Sequence, residues 1–295
     1  MDTHAVPQSR KQQLQNMTNT VWRLERLHRE QALPLAERIN LLRTHYEIQR
    51  MKEEDLQIPE RDRSFLYLQE QPTAAALLVP GGHSTPAQYF HLGRHLYRSG
   101  MTVYGVLLSN EAAIGEQRGG VPWQHTIAEL EMEYERLALL DVPIHLVGSS
   151  FGGILVTLLA LRREARTVTL LSPPFRPHLS LRARSALGLR LVLPWLFERM
   201  VKRSPHRWLA DRFNAMREAR GRLGELKAPL LAIHARDNEE LPAEGLKAIR
   251  KARGDRGDRI LELDEGGHML LQGAASRRVQ KEILDFIQAA QPKKG

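Results

Sequence analysis

The stretch that decides the fold is His-Leu-Val-Gly-Ser-Ser-Phe-Gly-Gly at positions 145–153, in which an apolar segment runs into a G-x-S-x-G motif. Because the apolar residues that follow predict a helix, the motif predicts that Ser150 lies at a sharp turn between a strand and a helix. Gly148 and Gly152 fit such a turn, since a Cβ at either position would meet neighbouring backbone. The turn would expose the Ser150 hydroxyl and leave the N–H of Phe151, at the helix start, for a developing oxyanion.

A phosphate-binding turn is the main alternative, because glycines between a strand and a helix also bind nucleotides. The G-x-G-x-x-G pattern would need a glycine in place of Ser150, and no G-x-x-x-x-G-K-[ST] motif occurs in the chain. The sequence therefore disfavours a nucleotide site. A glycine-rich turn without chemistry stays open if G-x-S-x-G is taken alone.

The composition is that of an ordinary globular protein. The chain has 295 residues, 42% hydrophobic and 26% charged, which suits one large α/β domain or two small ones. It contains no cysteine, which excludes disulfides, thiolate nucleophiles and cysteine-ligated zinc and agrees with a reducing compartment. Neither an export signal nor a membrane span is apparent, so we expect a cytoplasmic protein.

Short apolar stretches alternate with helical patterns from about residue 64 to the end of the chain. This alternation predicts an α/β fold with a mostly parallel, doubly wound sheet that is buried on both faces. The predicted strands are 64–69, 74–79, 101–108, 144–147, 167–171, 230–235 and 259–263. The predicted helices are 87–99, 126–140, 154–162, 243–251 and 279–289.

The first 60 residues differ from the rest. Apolar residues recur there every three to four positions on either side of Pro34, which predicts two amphipathic helices. We interpret residues 1–60 as a helical extension that packs on the main domain, 61–295, or on a second copy of the chain. A membrane-surface anchor is a weaker alternative, because acidic residues interrupt the basic face.

A serine nucleophile needs a base, and the base needs an acidic group that orients it. The predicted strand at 230–235 is followed by Asp237, and the strand at 259–263 is followed by a Gly-Gly-His sequence that ends at His268. Loops at the carboxyl ends of parallel strands meet in one crevice, so these side chains are expected near Ser150. Each also has a structural interpretation, Asp237 as a turn or helix cap and His268 as a loop residue.

A second oxyanion donor is expected from the turn after the strand at 74–79, where Pro-Gly-Gly-His follows at 80–83. The N–H of Gly82 is the first candidate and that of His83 the alternative. A simple glycine turn would also explain the sequence.

With these motifs, the chain resembles the α/β-hydrolase superfamily. Within it, the chain is most similar to the serine-aminopeptidase-like group, which includes bacterial carboxylesterases and monoacylglycerol lipases. The resemblance covers about residues 64–290 and rests on LLVPGG at 77–82, Trp123, APLLAIHARDNEELP at 228–242 and EGGHM at 265–269.

The resemblance implies an α/β-hydrolase fold with an inserted helical lid, and hydrolysis of carboxylic esters through an acyl-serine. It implies Ser150 as nucleophile, His268 as base and Asp237 as acid. It also implies Gly82 and Phe151 as oxyanion donors, and no metal or organic cofactor.

Two positions depart from the pattern of that group. Pro80 stands where a histidine usually precedes the glycine. The common spacing Gly-x-x-Asp-x-x-Val, laid over residues 235–241, puts Asn238 at the acid position, whereas a one-residue deletion before Pro242 would restore Asp237. Both acid positions therefore stay open.

The lid is expected at about 173–227, since more than 50 residues there are too many for a simple connection. This segment holds 13 Lys and Arg against 4 Asp and Glu, an excess equal to the net charge of the whole chain, +9. Its apolar residues are Leu187, Leu189, Leu191, Val192, Leu193, Trp195, Leu196 and Phe197, and its flanking basic residues are Arg182, Arg184, Arg190, Arg199, Lys202, Arg203 and Arg207.

We interpret this segment as an apolar cover for an acyl chain with a basic rim that permits peripheral contact with anionic membranes. Apolar packing within the lid and a solvated outer face would explain the same residues. Nucleic-acid binding is not expected, since RNA-reading motifs are missing.

The predicted function is a serine ester hydrolase for medium or long acyl esters. An acyl thioesterase or lysophospholipase is the alternative within the same chemistry. A non-catalytic lipid-binding homologue is the alternative outside it, favoured if Asn238 occupies the acid position. The oligomeric state is left open.

Overall fold

The computed structural model describes residues 8–82, 84–109, 122–175, 207–241, 243–254 and 256–291. The strands are β1 (Phe65–Tyr67), β2 (Ala74–Val79), β3 (Met101–Gly105), β4 (Ile144–Ser149), β5 (Thr167–Leu171), β6 (Leu230–Ala235) and β7 (Arg259–Leu263). The α-helices are α1 (Gln8–Glu30), α2 (Leu35–Asp55), α3 (Phe90–Arg98), α4 (Trp123–Ala138), α5 (Phe151–Ala160), α6 (Arg207–Arg222), α7 (Glu244–Arg253) and α8 (Ser276–Ala290). Short 3-10 helices lie at Glu60–Asp62, Pro86–Tyr89 and Leu223–Glu225.

The seven strands form one sheet in the order β1-β3-β2-β4-β5-β6-β7. β1 runs antiparallel to β3, and every other neighbouring pair is parallel. The chain moves outward from β2 to β3 and then returns to place β4 on the other side of β2. This reversal puts the carboxyl ends of β2 and β4 side by side, with Val79 paired to Gly148, at the point where sheets of this kind form a binding crevice.

Both faces of the sheet are buried, as its apolar strands predict. Along β2 the residues alternate: Ala75, Leu77 and Val79 pack in one apolar cluster, and Ala74, Ala76 and Leu78 pack in another. The first cluster contains residues of α2, α4, α5 and α6, and the second contains residues of α3 and α8. The predicted fold class, a mostly parallel sheet with helices on both faces, is confirmed.

Helix α2 packs on the first face of the sheet, and α1 packs against α2. Ile39 and Leu42 of α2 belong to the same apolar cluster as the central strands, and Arg38 Nη1 donates to the carbonyl of Leu139 over 2.9 Å. The buried Glu53 carboxylate accepts from the N–H of Ser64 at 2.9 Å and from its hydroxyl at 2.6 Å. α2 is therefore fixed to the chain that leads into β1. The domain boundary near residue 60 stays a prediction.

The segment predicted to form a lid, about 173–227, is described only at its ends. α6 packs along α5 through the buried residues Ala215 and Ala219. The carboxylate of Asp211, near its start, accepts from the N–H of Trp123 over 2.7 Å. Residues 176–206, which include the predicted apolar cover and most of the basic rim, lie outside the described part of the chain.

Several predicted boundaries shift by a few residues. The strand predicted at 101–108 ends at Gly105, and the helix predicted from 126 begins at Trp123. The helix predicted from 154 begins at Phe151, directly after the serine. Within the described ranges, no helix combines the length and apolarity needed to cross a lipid bilayer.

Candidate active site

Ser150 lies at the turn between β4 and α5, as the G-x-S-x-G motif predicts. Its backbone angles are φ 50° and ψ −124°, a conformation that costs a non-glycine residue about 1–3 kcal/mol. Two hydrogen bonds hold it: Ser150 N–H donates to the carbonyl of Leu171 at 2.7 Å, and Gly153 N–H donates to the carbonyl of Ser150 at 2.9 Å. The serine is partly exposed.

The two glycines of the motif are required by close backbone contacts. A Cβ at Gly148 would lie 2.4 Å from the carbonyl oxygen of Gly152. A Cβ at Gly152 would lie 2.3 Å from the carbonyl oxygen of Val79, at the end of β2. Any side chain at either position would push the nucleophile turn away from β2 and its loop.

The loop after β2 passes directly beside the nucleophile. A Cβ at Gly81 would lie 2.9 Å from the Cβ of Ser150 and 3.6 Å from its Oγ. The buried Tyr89 hydroxyl donates to the carbonyl of Val79 at 2.8 Å and holds the start of this loop. Gly82, the first predicted oxyanion donor, follows in the same loop, whereas the alternative donor, His83, lies outside the described residues.

Phe151 is the first residue of α5, where no carbonyl of the helix can accept its N–H. Its N–H therefore lacks an acceptor within the helix and follows Ser150 directly in the chain. This arrangement is compatible with a two-donor oxyanion site, although the role of either N–H stays a prediction.

The side chain next to the imidazole is that of Asn238. Asn238 Nδ2 lies 3.3 Å from His268 Nδ1, and the asparagine is buried, with 7% of its surface exposed. Asn238 Oδ1 accepts from the backbone N–H groups of Glu240 and Leu241, each at 3.1 Å. Because only the oxygen of an amide can accept, these two bonds fix which end of the side chain faces the histidine.

This contact determines the tautomer of the histidine. An NH₂ group donates, so Nδ1 of His268 must accept, and the proton of the neutral ring then lies on Nε2. A base that takes the serine proton through Nε2 needs the opposite tautomer, with its proton on Nδ1 and an acceptor beside it. The asparagine therefore holds the ring in the tautomer that is unfavourable for a general base.

Asp237, the acid predicted first, has a different contact. Its carboxylate accepts from Gly267 N–H at 2.9 Å and from Gly266 N–H at 3.1 Å, in the loop that carries His268. These bonds lower the pKa of the Asp237 carboxyl, with Gly267 contributing most. The structure thus places Asn238, the alternative acid position, beside the imidazole of His268. The carboxylate of Asp237 instead binds the backbone of Gly266 and Gly267, the two residues that precede His268.

The loops of Ser150 and His268 are both attached to the end of β5. Leu171 accepts the N–H of Ser150, and the hydroxyl of the next residue, Ser172, donates to the carbonyl of His268 at 3.1 Å. Ser172 itself has a positive φ of 47° and donates its N–H to Ile233 of β6 at 2.9 Å. Consecutive residues therefore support the candidate nucleophile and the candidate base.

Glu240 is a charged neighbour of His268 that the motif analysis did not identify. Its Oε2 lies 3.7 Å from His268 Nε2, too far for a hydrogen bond but close enough for a charge interaction, and its side chain is 71% exposed. Burial lowers the pKa of His268 below its ordinary value of 6.5, and the Glu240 carboxylate acts in the opposite direction. The imidazole is therefore mainly neutral near pH 7.

Arg212 of α6 was also not identified as a site residue. A Cβ at Gly82 would lie 1.8 Å from its Nη1, and its Cζ lies 4.7 Å from the centre of the Phe151 ring. Its guanidinium therefore contacts both residues whose N–H groups are predicted oxyanion donors.

The described residues contain no group of three or more histidine, aspartate or glutamate side chains that could hold a metal ion. The side chains and backbone groups around Ser150 are those used in nucleophilic and acid-base chemistry.

No protein-family model matches the sequence. A comparison with curated proteins gives no match. Solved structures do match: the monoacylglycerol lipase of Paleococcus ferrophilus is 18% identical with a TM-score of 0.62, over 77% of this chain and 98% of that one.

Three further matches are of the same kind. A soluble variant of monoglyceride lipase from Saccharomyces cerevisiae, solved with a substrate analogue, is 14% identical with a TM-score of 0.61, over 78% of this chain and 92% of that one. An esterase from Exiguobacterium antarcticum is 12% identical with a TM-score of 0.56, over 76% of this chain and 94% of that one. An alpha/beta hydrolase from a lagoon-sediment metagenome matches at a TM-score of 0.54 and 12% identity, over 77% of this chain and 94% of that one. With the sheet order and the serine turn, these likenesses show that the chain has the α/β-hydrolase fold.

Proposed function

We propose that the protein is a serine hydrolase of carboxylic esters that acts through an acyl-serine at Ser150. The observation that carries the proposal is the strained turn of Ser150, which is held against the loop after β2 by glycines that no other residue can replace. A strained backbone conformation persists only where its surroundings enforce it, and such sites cluster at functional positions.

In the proposed reaction, His268 accepts the Ser150 proton while Oγ attacks the ester carbonyl. The carbonyl oxygen becomes an oxyanion that accepts from the N–H groups of Gly82 and Phe151. Collapse of this intermediate breaks the bond to the alcohol, which leaves with the proton from His268. Water then attacks the acyl-serine by the same route, releases the carboxylic acid and restores the serine.

The contact with Asn238 makes this reaction slow. Before His268 can act, its ring proton must move from Nε2 to Nδ1, where it would face the Asn238 NH₂ group instead of an acceptor. Two opposed donors lose a hydrogen bond and repel each other, so the reactive tautomer is a minor species. Asn238 in this proposal is a positioning residue that keeps the ring in place but opposes its function as a base.

The substrate class is supported by the structural neighbours, which include a monoacylglycerol lipase, a monoglyceride lipase and an esterase. The preference for medium or long acyl chains rests on the sequence of the lid segment 176–206, and thioesters and lysophospholipids remain alternative substrates. Hydrolysis of p-nitrophenyl esters of increasing chain length, beside an acyl-CoA series, tests this preference. Highest activity on the acetyl ester would contradict it.

A second candidate function is non-catalytic binding of esters or lipids, and the Asn238 contact with His268 favours it. In that case the fold and the crevice are retained while the general base is held in an inactive tautomer. Peripheral contact of the lid with anionic membranes is compatible with either candidate.

A fluorophosphonate probe, which reacts with activated serine hydroxyls, separates the two functions. We expect slow labelling of the native protein, none in Ser150→Ala, and strongly reduced labelling in His268→Ala. Labelling of Asn238→Asp but not of the native protein would favour the binding function. If neither protein is labelled while both remain folded, the hydrolase proposal is wrong.

A further inference from the structure

Glu240 places a negative charge beside the atom of His268 that carries the proton in the proposed reaction. Its Oε2 lies 3.7 Å from Nε2 of the imidazole. In that reaction Nε2 returns the proton to the alcohol oxygen as the alcohol leaves, which requires these two atoms to come within hydrogen-bond distance, about 3 Å. The carboxylate therefore lies at most about 7 Å from the leaving oxygen. A group about three bonds beyond that oxygen can contact it.

The turn that carries Asn238 fixes the backbone from which the Glu240 side chain extends. The N–H of Glu240 donates to Asn238 Oδ1 at 3.1 Å, and Nδ2 of the same asparagine lies 3.3 Å from His268 Nδ1. One short turn therefore contacts the imidazole at both nitrogens, with an amide at Nδ1 and a carboxylate near Nε2. The carboxylate is largely exposed, so a substrate group can approach it from solvent.

The charge of the Glu240 carboxylate is not neutralised by the described residues. Across those residues its oxygens have no partner apart from the contact with His268, which is too long for a hydrogen bond. Because burial lowers the pKa of His268, the ring is mainly neutral near pH 7 and does not cancel the charge. Arg236, the nearest basic residue in the sequence, binds Glu262 at 3.2 Å and Asp264 at 2.8 Å instead. The carboxylate therefore keeps its oxygens available for a cation.

We infer that Glu240 is a specificity-determining residue, and that the favoured substrate is an ester whose alcohol carries a cationic group about three bonds from the ester oxygen. This inference rests on the proposed ester hydrolase function and adds the chemical class of the alcohol. The cation would lie between the leaving oxygen and the carboxylate, where the two opposite charges attract each other. Because the carboxylate is exposed, water screens this attraction and its effect on kcat/KM is about 2- to 5-fold.

The test compares two esters that differ only in charge. Butyrylcholine carries a quaternary ammonium group, and 3,3-dimethylbutyl butyrate has the same shape with a carbon in place of the charged nitrogen. Both have the same acyl group and depend on the same histidine, so changes in the basicity of His268 cancel in the ratio of their rates. We expect the native protein to prefer the choline ester by about 2- to 5-fold in kcat/KM, measured by release of acid. The ratio should decline as the salt concentration is raised.

Three variants relate this preference to the carboxylate. Glu240→Gln keeps the size of the side chain and removes its charge, so the charged-to-neutral ratio should fall to about one. Glu240→Lys reverses the charge and should bring the ratio below one. Glu239→Gln removes the same charge from the adjacent exposed residue, is the matched control and should keep the native ratio. Thermal unfolding of each variant verifies that it is folded.

If the esters are hydrolysed, a native ratio of one or less, or equal ratios in Glu240→Gln and Glu239→Gln, would overturn the inference while leaving the hydrolase proposal intact. If neither ester is hydrolysed, calorimetric binding of both esters to Ser150→Ala gives a test that does not require turnover. Tighter binding of the choline ester that is lost when Glu240→Gln is added would support the role of Glu240, and the hydrolase proposal would then fail. Equal binding of the two esters, or no binding, would contradict the inference.

Discussion

The two halves of the candidate site are built by different kinds of interaction. On the nucleophile side, Ser150 is positioned by backbone contacts at Gly148, Gly152 and Gly81, all shorter than a side chain would permit. On the base side, the properties of His268 depend on which atom of Asn238 faces its ring. The first half follows the pattern of a reactive serine, whereas in the second half the contact with Asn238 favours the His268 tautomer that is unfavourable for a general base.

This difference shows that positioning and activation of a nucleophile are separable. Backbone packing can keep a serine strained and accessible regardless of the side chains that activate it. Activation requires an acceptor at Nδ1, and replacing one oxygen by an NH₂ group removes that acceptor without moving the backbone. The following predictions test each half separately.

The largest effect is expected for Asn238→Asp. One carboxylate oxygen would keep the bonds from Glu240 and Leu241, and the other would accept from Nδ1 of His268, which frees Nε2 to act as the base. The reverse change in serine proteases lowers kcat about 10⁴-fold, so we expect kcat/KM on p-nitrophenyl esters to rise by up to about 10⁴. Asn19→Asp, on the exposed face of α1, adds the same charge and should have no effect. An unchanged rate in Asn238→Asp would show that the tautomer does not limit turnover.

A pair of alanine variants tests the nucleophile side. Gly152→Ala puts a Cβ 2.3 Å from the carbonyl of Val79, so the turn and the oxyanion loop must separate. We expect about 10²- to 10³-fold slower fluorophosphonate labelling and a stability loss of about 1–3 kcal/mol. Gly153→Ala is the matched control, because its Cβ would have its nearest neighbour at 3.5 Å. Similar labelling rates in the two variants would contradict the packing argument.

Asp237→Asn separates the two acid positions. If Asp237 only orders the loop through Gly266 and Gly267, we expect kcat/KM to fall by about tenfold or less, because one amide oxygen can still accept a hydrogen bond. A loss as large as the gain in Asn238→Asp would instead identify Asp237 as the acid. Steady-state kinetics of both single variants and of the double variant distinguishes these two roles of Asp237.

The smallest effect is expected in the pH profile of kcat/KM, which depends on the protonation of His268. Only the unprotonated imidazole can accept a proton, so kcat/KM should fall as the pH drops through the pKa of His268. Since burial lowers that pKa, the native profile should decline below pH 6.5. Asn238→Asp should move the decline to higher pH and Glu240→Gln to lower pH, because a nearby carboxylate raises the pKa. A shift in the opposite direction for Glu240→Gln would show that the Glu240 carboxylate does not raise the pKa of the His268 imidazole.

The nucleophile side was predictable from sequence because its geometry is imposed by glycine spacing within a few residues. The G-x-S-x-G motif between a strand and a helix predicted the turn at Ser150, and the apolar strands predicted the parallel sheet. The acid position was not predictable, because a shift of one residue separates Asp237 from Asn238 and only the three-dimensional contact with His268 distinguishes them. Arg212 was not predictable for another reason. It contacts Gly82, which lies 130 positions earlier in the sequence, and no local pattern indicates that contact.

The end of β5 has a mechanical consequence for the site. Leu171 accepts a hydrogen bond from the backbone N–H of Ser150, and Ser172 donates one to the backbone carbonyl of His268, so a displacement of this strand end is transmitted to both loops. We therefore expect a substitution that shifts the end of β5 to disturb the serine and the imidazole together.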